Sequence, residues 1–400
     1  MPENKDNKIL NVPNLRFPEF EGEWEEHYLS DYLDFKNGLN PKPERFGKGI
    51  RFISVMDILN NAVITNDCIR ASVDVSEEEL LSFCVENGDI LFQRSSETLE
   101  DVGRANVYMD NKPAVFGGFV IRGKKKAEYD PLFFRYLLAS PFARKKIIPM
   151  GAGAQHFNIG QEGLNKVKLH FALLDEQKKI ARLLSLLDER IAIQNKIIED
   201  LKKLRSAIIE REYTFKVQTH SHIGDFIEQN SNRNKDNIIQ NVLSVSNRQG
   251  FIRQREQFED RSIASDDTSN YKIVARNDFA FNPARINVGS IARLTTFEKG
   301  IVSPMYICFH TKNSILPEYL SFYFETKQFF SEIQKRLEGS VRQCLSYEGL
   351  CNIPFFPPVI EDQRRIGKRL FTLVQKFNLE MTFLEMLQKQ KTCLLRQMFI

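Results

Sequence analysis

Nowhere does this 400-residue sequence run to eighteen unbroken apolar residues, and its first residues, Met1-Pro-Glu-Asn-Lys-Asp-Asn-Lys8, are polar. Neither a membrane span nor a secretory leader is therefore expected. The six cysteines (Cys68, Cys84, Cys308, Cys344, Cys351, Cys393) lack paired spacing. This suits reduced thiols and a cytoplasmic location better than a disulfide framework. Charge of one sign is also scarce: 56 Lys+Arg stand against 52 Asp+Glu, a net +4 that is too mild to establish a polyanion partner.

Catalytic signatures are missing as well. A Walker loop is excluded because Gly123-Lys124 lacks a glycine at the required distance before it. Phe116-Gly117-Gly118-Phe119 lies inside an apolar run and reads as a strand kink, not a dinucleotide turn. Cys308-Phe-His310 is the closest Cys/His pair among six histidines, and strand alternation explains it better than zinc. Asn282-Pro283-Ala284-Arg285 lacks the second proline and the aromatic of an adenine-gripping methyltransferase loop. Glu325-Thr-Lys327 lies on a helical run with no matching Asp. The expectation is a non-catalytic chain with no metal and no cofactor of its own.

What is present is a repeat. Asp175-Glu176-Gln177-Lys178-Lys179-Ile180 returns as Glu361-Asp362-Gln363-Arg364-Arg365-Ile366, 186 residues later. The same offset carries Pro131 to Pro317 and Gly103 to Gly289; nearer the start of each copy insertions shift it to 194 and 190. A period this long exceeds the roughly 20 to 50 residues of a solenoid unit and reads as a duplicated domain with its connector. Each copy opens with short Gly-punctuated strands, predicted at 50–55, 90–93, 113–121, 279–282 and 300–310. A helix opened by proline follows, then a Gly-bearing loop, an apolar run and a long helix.

The long helices carry the strongest periodicity. Ile180, Leu183, Leu187, Gln194, Ile197, Leu201, Leu204 and Ile208 form an a/d seam in the first copy, and Ile366, Leu370, Leu373, Phe377, Leu384, Leu387 and Leu394 in the second. Acidic residues at each start suit the helix dipole. A run from Asp175 to Glu212 would span on the order of 57 Å at about 1.5 Å per residue. Two such stripes bury each other as an antiparallel coiled coil; packing of each helix on its own globular domain is the alternative. The predicted fold class is α+β, with two repeated mixed α/β domains separated by the paired helices on a pseudo-two-fold frame.

Forked donors and amides are the side chains that read base edges, and cations hold phosphates. Both copies place such groups where strands end: Gln93, Arg94, Ser95, Ser96 and Arg104, with Gln155 and Asn158 in the Gly loop, then Asn247, Arg248, Asn282, Arg285 and Asn287, with Arg342 and Gln343 in the second Gly loop. Between Arg122 and Lys146 eight cations face two acids, a local excess of +6 that could hold a nucleic-acid backbone.

With its duplicated plan, the lead Asn11-Val-Pro-Asn-Leu-Arg-Phe-Pro-Glu-Phe-Glu-Gly-Glu-Trp24, the two acid-acid-Gln helix openings and the ending Leu-Leu-Arg-Gln-Met-Phe-Ile400, the chain resembles the specificity subunit of type I restriction-modification enzymes. That resemblance implies an N-terminal arm at 1–20, target-recognition domains at 21–172 and 216–357, and spacer helices at 173–215 and 358–400. It implies that the chain reads a bipartite, asymmetric site on double-stranded DNA, the helices acting as a ruler between half-sites. Two methyltransferase subunits and two restriction (motor) subunits would be its partners, holding the S-adenosylmethionine, ATP and Mg chemistry. A coiled-coil adaptor with duplicated protein-binding domains is the competing reading.

Overall fold

The computed structural model describes residues 11–214, 221–247, 249–254, 267–339 and 343–400. The chain divides into two compact units, Met1–Lys196 with Thr382–Ile400, and Ile197–Met381.

In the first unit eight strands carry the fold: β1 (Leu33–Asn37), β2 (Phe46–Ile53), β3 (Ala71–Val73), β4 (Cys84–Val85), β5 (Ile90–Gln93), β6 (Ala105–Val107), β7 (Ala114–Phe116) and β8 (Val120–Lys125). One sheet has the order β1-β8-β5-β6, all antiparallel. The other has the order β3-β2-β7-β4, with β2 and β7 parallel at its centre. Helices α1 (Pro131–Ala139), α2 (Pro141–Ile147) and α3 (Gln161–Asn165) follow, then α4 (Leu174–Glu212), whose residues from Ile197 onward belong to the second unit.

The second unit repeats these strands and helices in the same order. Its strands are β9 (Ile227–Asn230), β10 (Val242–Ser246), β11 (Gly250–Arg253), β12 (Lys272–Ala275), β13 (Phe279–Phe281), β14 (Ile291–Arg293), β15 (Lys299–Val302) and β16 (Ile307–Thr311). The sheet orders are β9-β16-β13-β14 and β11-β10-β15-β12, again with a parallel central pair, β10 and β15. Helices α5 (Pro317–Tyr323), α6 (Lys327–Gln334), α7 (Tyr347–Cys351) and α8 (Ile360–Gln397), whose residues from Thr382 onward belong to the first unit, complete the series. Backbone turns repeat too. Gly103, Gly153, Gly289 and Gly339 all have positive φ, and the left-handed position held by Gly88 before β5 is held by Asn277 before β13. Asn is the residue that best tolerates a conformation otherwise reserved for Gly.

The central strand explains why these segments read as continuous apolar runs. Ile90 and Phe92 of β5 face a core containing Phe133 and Phe134, while Leu91 faces a second core with Ile53, Tyr108 and Phe116. In β13, Phe279 and Phe281 join Tyr319 and Tyr323, while Ala280 faces Leu243, Val245 and Val302. Alternate side chains leave a strand on opposite faces, so a strand walled by two cores must be apolar throughout.

Each long helix is fixed at its root by the glutamine of the acid-acid-Gln repeat. Gln177, buried, accepts from the Asp130 amide at the start of α1 (3.0 Å) and donates to the Ala172 carbonyl (2.9 Å). Gln363, also buried, accepts from the Leu316 amide at the start of α5 (2.8 Å) and donates to the Pro358 carbonyl (2.8 Å). One side chain thus ties the first turn of the long helix to the first turn of the proline helix, satisfying an amide that neither helix can bond internally.

Within the first unit the start of α4 lies against the end of α8. Ile180, Ala181 and Leu184 share a core with Met398 and Phe399, and Lys391 pairs with Asp188 at 2.5 Å. Within the second, Ile208 and Ile209 share a core with Ile366 and Leu370, and Arg369 pairs with Glu212 at 3.3 Å. The helices therefore run antiparallel in both units, and the α+β class with duplicated mixed sheets is the fold observed. The seam of α4 needs correcting. Ile197 and Leu204 are exposed (37% and 48%), whereas Leu184 and Ile198 are buried in the places expected of Leu183 and Ile197. The stripe steps four residues and then three from Ile180, and adjacent apolar pairs such as Leu183-Leu184 and Ile197-Ile198 conceal that choice of phase.

Two predicted strands are each broken by a turn. The run 113–121 splits into β7 and β8 around Gly117-Gly118-Phe119, and the run 300–310 splits into β15 and β16 around Ser303-Pro304-Met305. The turns carry the chain from one sheet to the other. Likewise the run 50–55 ends as a strand at Ile53, since Ser54 and Asp57 cap a short helix, Val55–Asn60.

Candidate nucleic-acid interface

In the first unit, β5 delivers the chain into a two-stranded ribbon, Ser95–Ser96 against Phe157–Asn158. Gln93 is buried and its amide donates to the Ser95 carbonyl (2.9 Å), so it braces this loop from beneath and is not available at the surface. Arg94 is half-buried, and its guanidinium donates to the Gly118 carbonyl at 3.2 Å. Ser95 donates to the Asn158 side chain at 2.5 Å, and the Ser96 hydroxyl accepts from the Thr98 amide. Gln155 is exposed in the loop before this ribbon. Arg94, Ser95, Ser96 and Asn158 thus come together, and backbone bonds from Arg94 to Phe119 (2.9 Å) and from Ile159 to Arg94 (2.9 Å) join them to the turn between β7 and β8. The two glycines of that turn are packed too closely for side chains: a Cβ on Gly118 would meet the Asn40 side chain, and one on Gly117 the Phe52 ring.

Arg104 lies elsewhere. It pairs with Asp101 (2.6 Å) and lines a separate cleft of about 380 Å³ with Arg135, Arg144 and Asn106. Arg144 donates to the Glu100 and Val102 carbonyls, and burial, together with the nearby charge of Arg104, lowers its pKa to about 10.

The basic excess between Arg122 and Lys146 is largely taken up inside the fold. Arg122 is buried over the Phe116 ring and donates to the Cys84 carbonyl; Lys124 pairs with Glu86 (2.8 Å), Lys125 donates to the Tyr129 carbonyl (3.1 Å), and Arg135 pairs with Asp188 (3.4 Å). Counting charges along the chain overstated the cation available to a phosphate, because aromatic faces and carbonyls had already claimed it.

The second unit forms a cleft of about 580 Å³ at the corresponding end of its central strand, lined by Asn247, Asn282, Arg285, Met305, Tyr271 and Tyr306 among others. Asn282 is buried and accepts from the Ala284 amide (3.1 Å), which shapes the turn that presents Arg285. Arg285 is exposed, and among the described residues its guanidinium has no hydrogen bond or ion pair. Asn287 sits half-buried in the turn Ile286–Val288, and Gln343 is exposed beside Leu345, whose amide donates to the Pro283 carbonyl (3.0 Å). Arg248 and Arg342 lie outside the described residues. Tyr271, Met305 and Tyr306 were missed from sequence. Cys308, in the core behind, has its thiol pushed up to about 12 by burial. Among the described residues no cluster of His, Cys, Asp and Glu could hold a metal ion, and no helix is long and apolar enough to cross a membrane.

Comparison with known proteins finds relatives of this chain. Residues 21–203 match the family described as type I restriction modification DNA specificity domain. Over 231 residues the chain is 27% identical to the MjaX type I restriction enzyme specificity subunit of Methanocaldococcus jannaschii, covering 55% of this chain and 54% of that protein. It is 25% identical to the EcoKI specificity subunit of Escherichia coli over 175 residues, covering 43% of this chain and 36% of the relative. The match therefore spans about half, or less, of the length of these curated relatives. In fold it is similar to the type I restriction-modification S subunit from M. genitalium, with a TM-score of 0.59, 16% identity, and 97% and 99% of the two chains covered. A chain from a structure on complex assembly and conformational transition of the type I R-M system gives a TM-score of 0.54 at 12% identity, covering 93% of this chain and 96% of that one.

Proposed function

We propose, from its similarity to type I restriction-modification specificity subunits and the match of residues 21–203 to their DNA specificity domain, that this chain is the non-catalytic, DNA-reading subunit of such a system. One observation carries the reading: the two units repeat the same strands and turns, yet end their central strands in different polar chemistry. Arg94-Ser95-Ser96 with Asn158 occupies one, and Asn282 with Arg285 and Asn247 the other. Equivalent scaffolds with unlike donors suit an asymmetric, bipartite target on double-stranded DNA. In this reading residues 21–172 and 216–357 are the two readers, 1–20 an arm, and 173–215 and 358–400 the spacer helices. The partners are two methyltransferase subunits and two restriction (motor) subunits in the cytoplasm. S-adenosylmethionine, ATP and Mg serve those partners, and adenine methylation or cleavage follows where this chain directs them.

Mapping methylated adenines in a host expressing the chain with its partners tests the proposal. The expected result is one two-part sequence, of which exchanging residues 21–172 for another such domain alters one half only. A change in both halves would contradict independent readers. Binding by an adaptor through apolar surfaces would show little salt dependence, whereas DNA binding should weaken steeply with added salt.

A further inference from the structure

The turn that breaks the predicted strand in each copy presents a large apolar side chain to solvent at the same place. Phe119 is 69% exposed and Met305 57%, and the two are 186 residues apart, the register of the repeat. The turns are equivalent in their bonds: the Val120 amide donates to the Gly117 carbonyl (2.8 Å), and the Tyr306 amide to the Ser303 carbonyl (3.0 Å). Around them the residues differ, Gly117-Gly118 becoming Ser303-Pro304 and Val120 becoming Tyr306.

Single exposed apolar residues are ordinary on protein surfaces and need no explanation. Here the exposure recurs at one structural position while its neighbours vary, and both copies set it among the polar groups assigned above to base reading. The Phe119 carbonyl accepts from the Arg94 amide, and Met305 lines the cleft of Asn247, Asn282 and Arg285. The first turn is also stiff, since Gly117 and Gly118 lie directly against Phe52 and Asn40. A stiff apolar tip beside hydrogen-bonding groups matches one feature of the DNA major groove, the 5-methyl group of thymine, the apolar mark on a base-pair edge otherwise lined with donors and acceptors.

Resting on the function proposed above, we infer that Phe119 and Met305 are specificity-determining residues, each contacting a thymine methyl in the half-site read by its own unit. The test uses the full-length chain with its methyltransferase partner and duplexes of the mapped target in which each thymine is replaced, one at a time, by deoxyuridine, which lacks the methyl. One position in each half should weaken binding by about fourfold, the effect of losing one buried methyl group. Phe119→Ala should abolish the sensitivity in one half and Met305→Ala in the other, while Leu81→Ala, an 85% exposed leucine outside both turns, should leave both intact.

Specific binding with no uridine-sensitive position, or with sensitivity unchanged in Phe119→Ala and Met305→Ala, would overturn this inference alone. So would a Phe119-dependent rise in 2-aminopurine fluorescence without uridine sensitivity, which marks a wedge between bases. Absence of any sequence-specific binding would overturn the reading beneath it as well.

Discussion

At the foot of their long helices the two units share a glutamine but differ in the acid before it. Gln177 and Gln363 make the same pair of bonds, whereas Glu176 is fully buried and Asp362, its counterpart, lies at the surface bonded to Arg365 of its own helix. The cause is the segment that precedes the first copy. Arg16 donates to both oxygens of Glu176 (2.8 and 2.7 Å), the Trp24 indole donates to one of them (3.3 Å), and the Leu15 amide donates to the Gln397 carbonyl (2.9 Å). The arm therefore closes over both the start of α4 and the end of α8, and Trp24 meets Phe133 and Phe399 edge to face. A repeated position keeps its role where its surroundings repeat, and changes it where one copy alone has a neighbour.

The sharpest way to break the comparison is Trp24→Ala. Removing a 3% exposed indole from this junction should cost about 3–5 kcal/mol in denaturant unfolding. Glu176→Ala should follow at about 2–4 kcal/mol, since it leaves the indole N–H unsatisfied and removes the carboxylate from Arg16, whose guanidinium keeps only the Gly22 and Glu21 carbonyls. Asp362→Ala, by contrast, should stay within about 0.5 kcal/mol, as exposed sites do. If the two acids proved equal, the arm would not be what separates them. Gln177→Ala and Gln363→Ala should each cost about 1–3 kcal/mol and agree with one another, because each leaves an equivalent amide unsatisfied. On the binding side, Arg285→Ala should weaken specific DNA binding by about 1–3 kcal/mol if it forks a guanine. Arg94→Ala should lose less, its guanidinium being already engaged by the Gly118 carbonyl. Smallest of all, Asn277→Gly should shift stability by less than about 1 kcal/mol, because its left-handed turn accepts either residue, as Gly88 shows in the first unit.

The duplication, the mixed sheets and the long helices were legible because periodicity and repeated landmarks survive divergence. The phase of the α4 seam was not: Ile197 and Ile198 are both apolar, and only packing decides between them. The kink at Gly117-Gly118 was legible, but that Phe119 and Met305 point outward was hidden, because an apolar residue in an apolar run gives no sign of its direction. Gln177 was recognised as a landmark, yet its bonds to Ala172 and Asp130 are tertiary and leave no local pattern. At the candidate interface, sequence found the strand ends that carry polar groups but could not separate Arg285, which is open, from Gln93, which is buried beneath its own loop.

The central strands, enclosed by a core on either side, have a consequence for how such a chain can diversify. With every residue from Ile90 to Phe92 and from Phe279 to Phe281 immobilised, the loop beyond begins at a fixed point whatever side chains it carries. New chemistry at the tips then asks nothing of the body beneath, so recognition can drift through substitution while the frame that delivers it stands still.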